Sequence, residues 1–294
     1  MGHFGVKTRP RVFVSTTMCR LLGIIASEPT EFRLVLREAP RSLAHLSREH
    51  RDGWGIAIHE ASRATDGGTG WTVQKGVACA GEDTHFHDVA VGARGEVLVA
   101  HIRQRTVGQT SLDNTHPFQA GPWIFAHNGT IKDLDHVRAG VSAERGGAIR
   151  GDTDSELFFA NLLTKMDALG LSTGPASSEL DTLVVETMKT LRERPDFGAF
   201  NILLTDGKTM YAHRFGRSLY LLERGPDDTV RPSRSSRDGT IVETPWSQRR
   251  QAVIVASERL TDEPWQEIED GTLLRVDRFP VPHWRRLELP RKAA

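Results

Sequence analysis

At 294 residues, 38% hydrophobic and 26% charged, the chain is long and apolar enough to bury a large core, which excludes a disordered tail or a small disulfide-stapled scaffold. Its 38 basic and 38 acidic side chains cancel, leaving no electrostatic footprint for nucleic acid or an anionic membrane surface, so a small-molecule or protein partner is expected. Two cysteines, Cys19 and Cys79, cannot frame a disulfide scaffold of this size, and without a CxxC pair they do not suggest structural zinc, so a cytoplasmic setting is expected.

Residues 1–18 carry Lys7, Arg9 and Arg11, but "VFV" is too short for a signal-peptide apolar region. No stretch approaches the roughly 18 apolar residues of a spanning helix. The segment reads as a non-native or removed extension. After Cys19, "RLLGIIA" is a short β-type run, and "TEFRLVLREA" places Phe32, Val35, Leu36 and Ala39 at helical spacing before Pro40. "GWGIAIHE", "WTVQKGV", "EVLVAHI" and "PWIFAHN" follow as strands separated by Gly, Asp and Pro clusters. "GDTDSELFFANLLTKMDALG" switches to helical period, with Thr153 and Glu156 in a capping-box pattern. A second helix runs across "SELDTLVVETMKTLRER" to Pro195, and "AFNILLTDGKTMYAHRF" reads as two strands joined by an Asp-Gly turn. Residues 224–240 are polar and turn-rich, a surface loop, before "QAVIVAS" and "GTLLRVD" return to strand character. Strands, two central helices, then more strands make an α+β chain.

Cys19 directly follows Met18. A thiol near neutral pH needs a base to become an effective nucleophile. If Cys19 is the first residue of the mature chain, its own α-amine, with a reference pKa of roughly 7.7 to 8.0, supplies one. Inside a longer chain it reads instead as a small buried hydrophobe beside a strand. Downstream, "AHIRQRT" sets Arg103 just past a strand, where a guanidinium can grip a carboxylate, or else form a structural ion pair. "AHNGT" ends a strand with Asn128 and Gly129, an oxyanion-hole pair or an ordinary turn. "DTDSE" places Asp154 at a helix start, where it caps backbone donors or receives an ammonium. The Gly53, Trp54 and Gly55 of "DGWG" read as turn, core or pocket wall. "HFH" at residues 85–87 with Cys79 falls short of a zinc site, so no metal is expected.

The ordered set "MCRLLGI", "DGWGI", "AHIRQ", "NTHPF", "AHNG", "TDSE" and "FNILLTDG" resembles the class II glutamine amidotransferases, and within them the YafJ-like stand-alone branch. The resemblance runs from Met18 to about residue 280 and implies an Ntn-hydrolase fold, a four-layer αββα sandwich of two packed antiparallel sheets between helical layers. It implies loss of the initiator methionine, Cys19 as nucleophile and its α-amine as base. By position it makes Asn128 and Gly129 the oxyanion hole, and Arg103 and Asp154 the clamps for the α-carboxylate and α-amine of glutamine. Thr106 falls in the family's substrate loop, Gly53, Trp54 and Gly55 in its pocket segment, and His116 in "THPF" in a support role.

The resemblance therefore implies cofactor-free hydrolysis of L-glutamine or a γ-glutamyl amide through a γ-glutamyl thioester. Residues 19–285 would form the amidotransferase domain and 286–294 a tail, with Met18 as the true initiator or residues 1–18 as a propeptide. No ammonia-consuming domain is expected, so the ammonia is released or passed to a separate acceptor protein. A different class of function, a non-catalytic glutamine-sensing or regulatory subunit of the same fold, stays open at this point.

Overall fold

The computed structural model describes residues 19–64, 68–105, 108–226 and 250–288. The extension at 1–18, Thr106, residues 227–240 of the expected loop and the end of the expected tail lie outside them. Strand β1 (Arg20–Glu31) shows how the sequence builds the layers. Leu22 and Ile24 point into one apolar cluster, while Leu21 and Ile25 point into another. A strand buried on both faces presents alternate residues to each.

The other strands are β2 (Trp54–His59), β3 (Trp71–Gly76), β4 (Arg94–Ile102), β5 (Phe118–Ala120), β6 (Trp123–Ile131), β7 (Gly198–Thr205), β8 (Thr209–His213), β9 (Tyr220–Arg224), β10 (Ala252–Ala256), β11 (Gln266–Glu267), β12 (Leu273–Asp277) and β13 (His283–Arg286). They form a seven-stranded sheet in the order β11-β9-β10-β1-β4-β2-β3 and a six-stranded sheet in the order β13-β12-β8-β7-β6-β5. Neighbouring strands pair antiparallel throughout. Val97, Val99, Ile124, Ala126 and Leu203 fill the space between the sheets. Helices α1 (Leu43–Leu46) and α2 (Thr84–Gly92) cover the outer face of the first sheet through Leu43, Ala44, Phe86 and Ala90. Helices α3 (Leu134–Ala139), α4 (Ala143–Gly147), α5 (Asp154–Ala168) and α6 (Ser178–Arg192) follow. Phe158, Leu162 and Val184 of α5 and α6 cover the second sheet against Phe125 and Ile202. The order helix, sheet, sheet, helix is the expected αββα sandwich. Among the described residues no helix is long and apolar enough to cross a membrane.

Three local expectations need correction. β1 runs past "RLLGIIA" to Glu31, through a register shift between Ile25 and Thr30. That leaves too few residues before Pro40 for a full helix over "TEFRLVLREA". Leu34–Glu38 instead form one π-helical turn, closed by the Ala39 amide donating to Leu34 O at 2.8 Å and burying Val35 and Leu36. The capping box is half realised. Thr153 Oγ1 accepts from the Glu156 amide at 3.2 Å, but the Glu156 carboxylate accepts from Gly151 and Arg150 amides at 2.8 and 3.0 Å, tying the preceding loop to α5.

Candidate active site

Cys19 stands immediately before β1, whose register pairs Arg20 with Ile102, so the cysteine lies beside the chain that leaves β4. The Gln104 amide donates to Cys19 Sγ at 3.2 Å, and the thiol donates back to Gln104 O at the same distance. The segment before β2 braces this chain. The Asp52 amide donates to Arg103 O at 3.2 Å, the Arg103 amide to Gly53 O at 2.8 Å, and the Arg105 amide to the Asp52 carboxylate at 2.9 Å. Gly53 sits at φ 131°, a conformation open to glycine. His50 Nδ1 lies 2.7 Å from Gln104 Oε1, fixing the Gln104 side chain as well.

Burial pushes the Cys19 pKa up, opposed by the Gln104 backbone hydrogen bond and by Arg103. The resting group is therefore a thiol that needs a base. Arg103 is only 3% exposed and donates from Nη1 to Gln109 O at 3.1 Å, its position set by the braced backbone on either side.

β6 brings the second half. Asn128 Nδ2 donates to Cys19 O at 3.0 Å, which fixes its amide against the cysteine while leaving its second N–H. Gly129 follows where β6 passes β7 so closely that a Cβ would collide with the Ala199 carbonyl. Asp154 opens α5, and its Oδ2 accepts the Ile131 amide of β6 at 2.7 Å. A buried carboxylate, 6% exposed, is thus anchored at Ile131, two residues along the strand from Gly129. Together these groups bring a thiol, a side-chain amide, a guanidinium and a carboxylate to one region, chemistry suited to attack on an amide and to gripping the charged ends of an amino acid.

The Trp54 side chain is fully buried, donating to Asp83 Oδ2 at 2.8 Å and meeting Phe86 edge-on at 5.1 Å, so it packs in the outer core. A Cβ at Gly55 would collide with the His116 carbonyl, so this glycine allows the "THPF" loop to approach β2. His116 is buried, its ring 4.4 Å from that of His101 and 4.7 Å from Phe118. His85 packs on Trp54, His87 Nε2 lies 3.3 Å from Gly81 O, and Cys79 faces Ser47. Among the described residues no group of three or more His, Cys, Asp or Glu could hold a metal ion. Gln104, His50 and Ser155 were not foreseen. Gln104 acts on the thiol through its backbone, which residue type does not betray, although it sits inside the quoted "AHIRQRT".

The family profile "Glutamine amidotransferases class-II" matches residues 18–283. YafJ of Escherichia coli is 29% identical over 269 residues, covering 86% of this chain and 95% of its own length. The γ-glutamyl-hercynylcysteine sulfoxide hydrolase of Mycobacterium tuberculosis is 28% identical over 271 residues, covering 88% and 93%. A crystal structure described as a predicted glutamine amidotransferase from Pseudomonas aeruginosa superposes with a TM-score of 0.56 at 26% identity, covering 87% of this chain and 96% of that one. The glutamine phosphoribosylpyrophosphate amidotransferase of Bacillus subtilis shares the Ntn-hydrolase fold, with a TM-score of 0.57 at 17% identity over 92% of this chain and 50% of its own.

Proposed function

The chain belongs to the class II glutamine amidotransferases, and from that membership we propose that Cys19, as the first residue of the mature protein, hydrolyses the side-chain amide of L-glutamine or a γ-glutamyl amide. The observation that carries this reading is the seating of the Cys19 thiol on Gln104 with Asn128 bonded to the same residue's carbonyl. The start of the family match at residue 18 supports Cys19 as the mature terminus.

In this mechanism the free α-amine of Cys19 takes the thiol proton, directly or through water, as sulfur attacks the amide carbon. The tetrahedral oxygen is stabilised by the second N–H of Asn128 and the amide of Gly129. As the C–N bond breaks, the ammonium of Cys19 returns its proton to the departing nitrogen, releasing ammonia or an amine and leaving a γ-glutamyl thioester. Water, deprotonated by the same amine, then displaces sulfur to give glutamate and the starting thiol. Arg103 holds the α-carboxylate and Asp154 the α-ammonium, with Thr106 and the Gly53–Gly55 backbone completing the substrate loop. The M. tuberculosis relative, named as a hydrolase of a γ-glutamyl compound, supports a substrate with a larger leaving amine than ammonia.

Intact-mass analysis of protein expressed from its own start, followed by turnover assays with glutamine and a panel of γ-glutamyl amides beside Cys19→Ala, tests the proposal. A Cys19 terminus, turnover of at least one compound and loss of it in Cys19→Ala are expected. Full activity in a chain that keeps Met1 would sink the terminal-amine mechanism, and tight binding without turnover would point to a sensor.

A further inference from the structure

His127, one residue before the oxyanion pair, is 2% exposed and has no role in the chemistry above. Its Nε2 lies 3.2 Å from Ala199 O, an approach that the missing Cβ of Gly129 permits. A carbonyl can only accept, so Nε2 carries the hydrogen. Burial pushes the His127 pKa down, with Asp154 partly opposing, so the ring is neutral and its Nδ1 is left as an acceptor. That Nδ1 stands 2.8 Å from Ser155 Oγ, and the same hydroxyl is placed to donate to Asp154 Oδ1 at 3.2 Å.

The serine has one hydrogen for two acceptors, and the shorter contact is to the histidine. Asp154 Oδ2 is already engaged by the Ile131 amide. Among the described residues, the side-chain donor in reach of Oδ1 is therefore Ser155, whose hydrogen His127 draws away.

We propose that His127 and Ser155 are positioning residues for the ammonium end of the substrate: the neutral imidazole holds the Ser155 hydroxyl hydrogen off Asp154, keeping Oδ1 open to receive the α-ammonium. This rests on the reading of Asp154 as the ammonium clamp. Without the imidazole, the hydroxyl turns to Oδ1 and competes with the substrate. The device acts on ligands that carry an α-amine and leaves deamino analogues untouched.

Two measurements on the mature full-length enzyme test this. In the free protein, long-range 15N–1H NMR is expected to show His127 as the Nε2–H tautomer at pH 7.5, with an Nδ1 resonance that moves in Ser155→Ala. An Nδ1–H tautomer or an imidazolium overturns the proposal, whatever the substrate. In kinetics, the KM of L-glutamine is compared with that of glutaramate, the same amide without the α-amine.

His127→Phe is expected to raise the ratio of the two KM values roughly tenfold, the effect of one hydrogen bond to a charged group. Adding Ser155→Ala to His127→Phe should return the ratio toward wild type, because no hydroxyl remains to turn on Asp154. Additive losses without that rescue, the behaviour of a purely structural histidine, overturn the proposal. If neither compound is turned over, the glutamine reading fails, and the NMR result alone decides the tautomer and the hydroxyl direction.

Discussion

At the scale of single residues, the site divides into side chains that act by their own chemistry and backbone that acts by position. Asn128 belongs to the first kind, because its amide alone links the cysteine and the proposed oxyanion. Asn128→Ala removes one preorganised donor, so kcat is expected to fall about 10²- to 10³-fold with a much smaller change in KM, read by steady-state kinetics. A drop confined to KM would move Asn128 from the oxyanion to ground-state binding. Arg103→Lys keeps the charge but loses the planar fork and its donation to Gln109 O. KM should rise on the order of tenfold with kcat nearly unchanged, which a Lys able to substitute fully would contradict. Cys19, Arg103, Asn128 and Asp154 stand out as candidates in the sequence because thiol, guanidinium, amide and carboxylate each offer a reaction role, but their proposed roles came from the resemblance of the whole ordered set of motifs. Gln104 does not stand out, since any residue type offers the same amide and carbonyl to Cys19 Sγ. Ser155 was hidden for another reason: next to Asp154 at a helix start, a serine reads as ordinary first-turn composition.

At the scale of elements, strands with alternating apolar residues were legible and short helices with few core contacts were not. β2 and β4 carry apolar runs at residues 56–58 and 97–100, as strands buried on both faces do. α2 buries little more than Phe86 and Ala90 and follows a run of turn residues, so its period was too weak to read. α6 was legible as a helix, but the way it is fastened to the second sheet was not, because that depends on residues far along the chain. Asp181 of α6 accepts from Tyr211 Oη of β8, Arg275 Nη1 of β12 and Arg285 Nη2 of β13, each at 2.7 Å. The carboxylate raises the Tyr211 pKa further after burial has done so, as expected of a phenol that donates to an anion. Asp181→Ala would leave the phenol and part of the Arg275 charge without their partner, although Asp277 still pairs with Arg275. A loss of about 2 to 3 kcal/mol in urea denaturation is expected, with kcat unchanged because the cluster is remote from Cys19. A change below about 0.5 kcal/mol would show that Asp277 and solvent replace Asp181.

At the scale of the whole molecule, periodicity yields an α+β chain but not the number of layers. The two-sheet sandwich came from the resemblance, because which strands share a sheet is decided by pairings such as β1 with β10, more than 200 residues apart in sequence. That sandwich encloses several histidines, which makes stability depend on pH. Burial lowers the pKa of His101 to about 3 and that of His213 to about 4, and pushes His116 well below its ordinary value. His59 and His127 shift in the same direction, also through burial. Unfolded histidine titrates near 6.5, so above that pH both states are neutral and the burial is without proton cost. As pH falls below about 6.5 the unfolded chain binds protons that the folded one refuses, and stability is lost progressively until the folded values are reached. Each such histidine contributes up to about 1.4 kcal/mol per pH unit, so His101, His116 and His213 together approach about 4 kcal/mol per unit near pH 5. Urea titrations between pH 7.5 and 3.5 should show this slope, and His213→Phe, which keeps the stacking on Phe200 but not the titration, should reduce it by up to about a third. A slope that begins only below pH 4.5, or one unchanged in His213→Phe, would assign acid sensitivity to carboxylates such as Asp277, whose pKa is lowered by its hydrogen bonds from Arg275 and Thr209 against the upward push of burial.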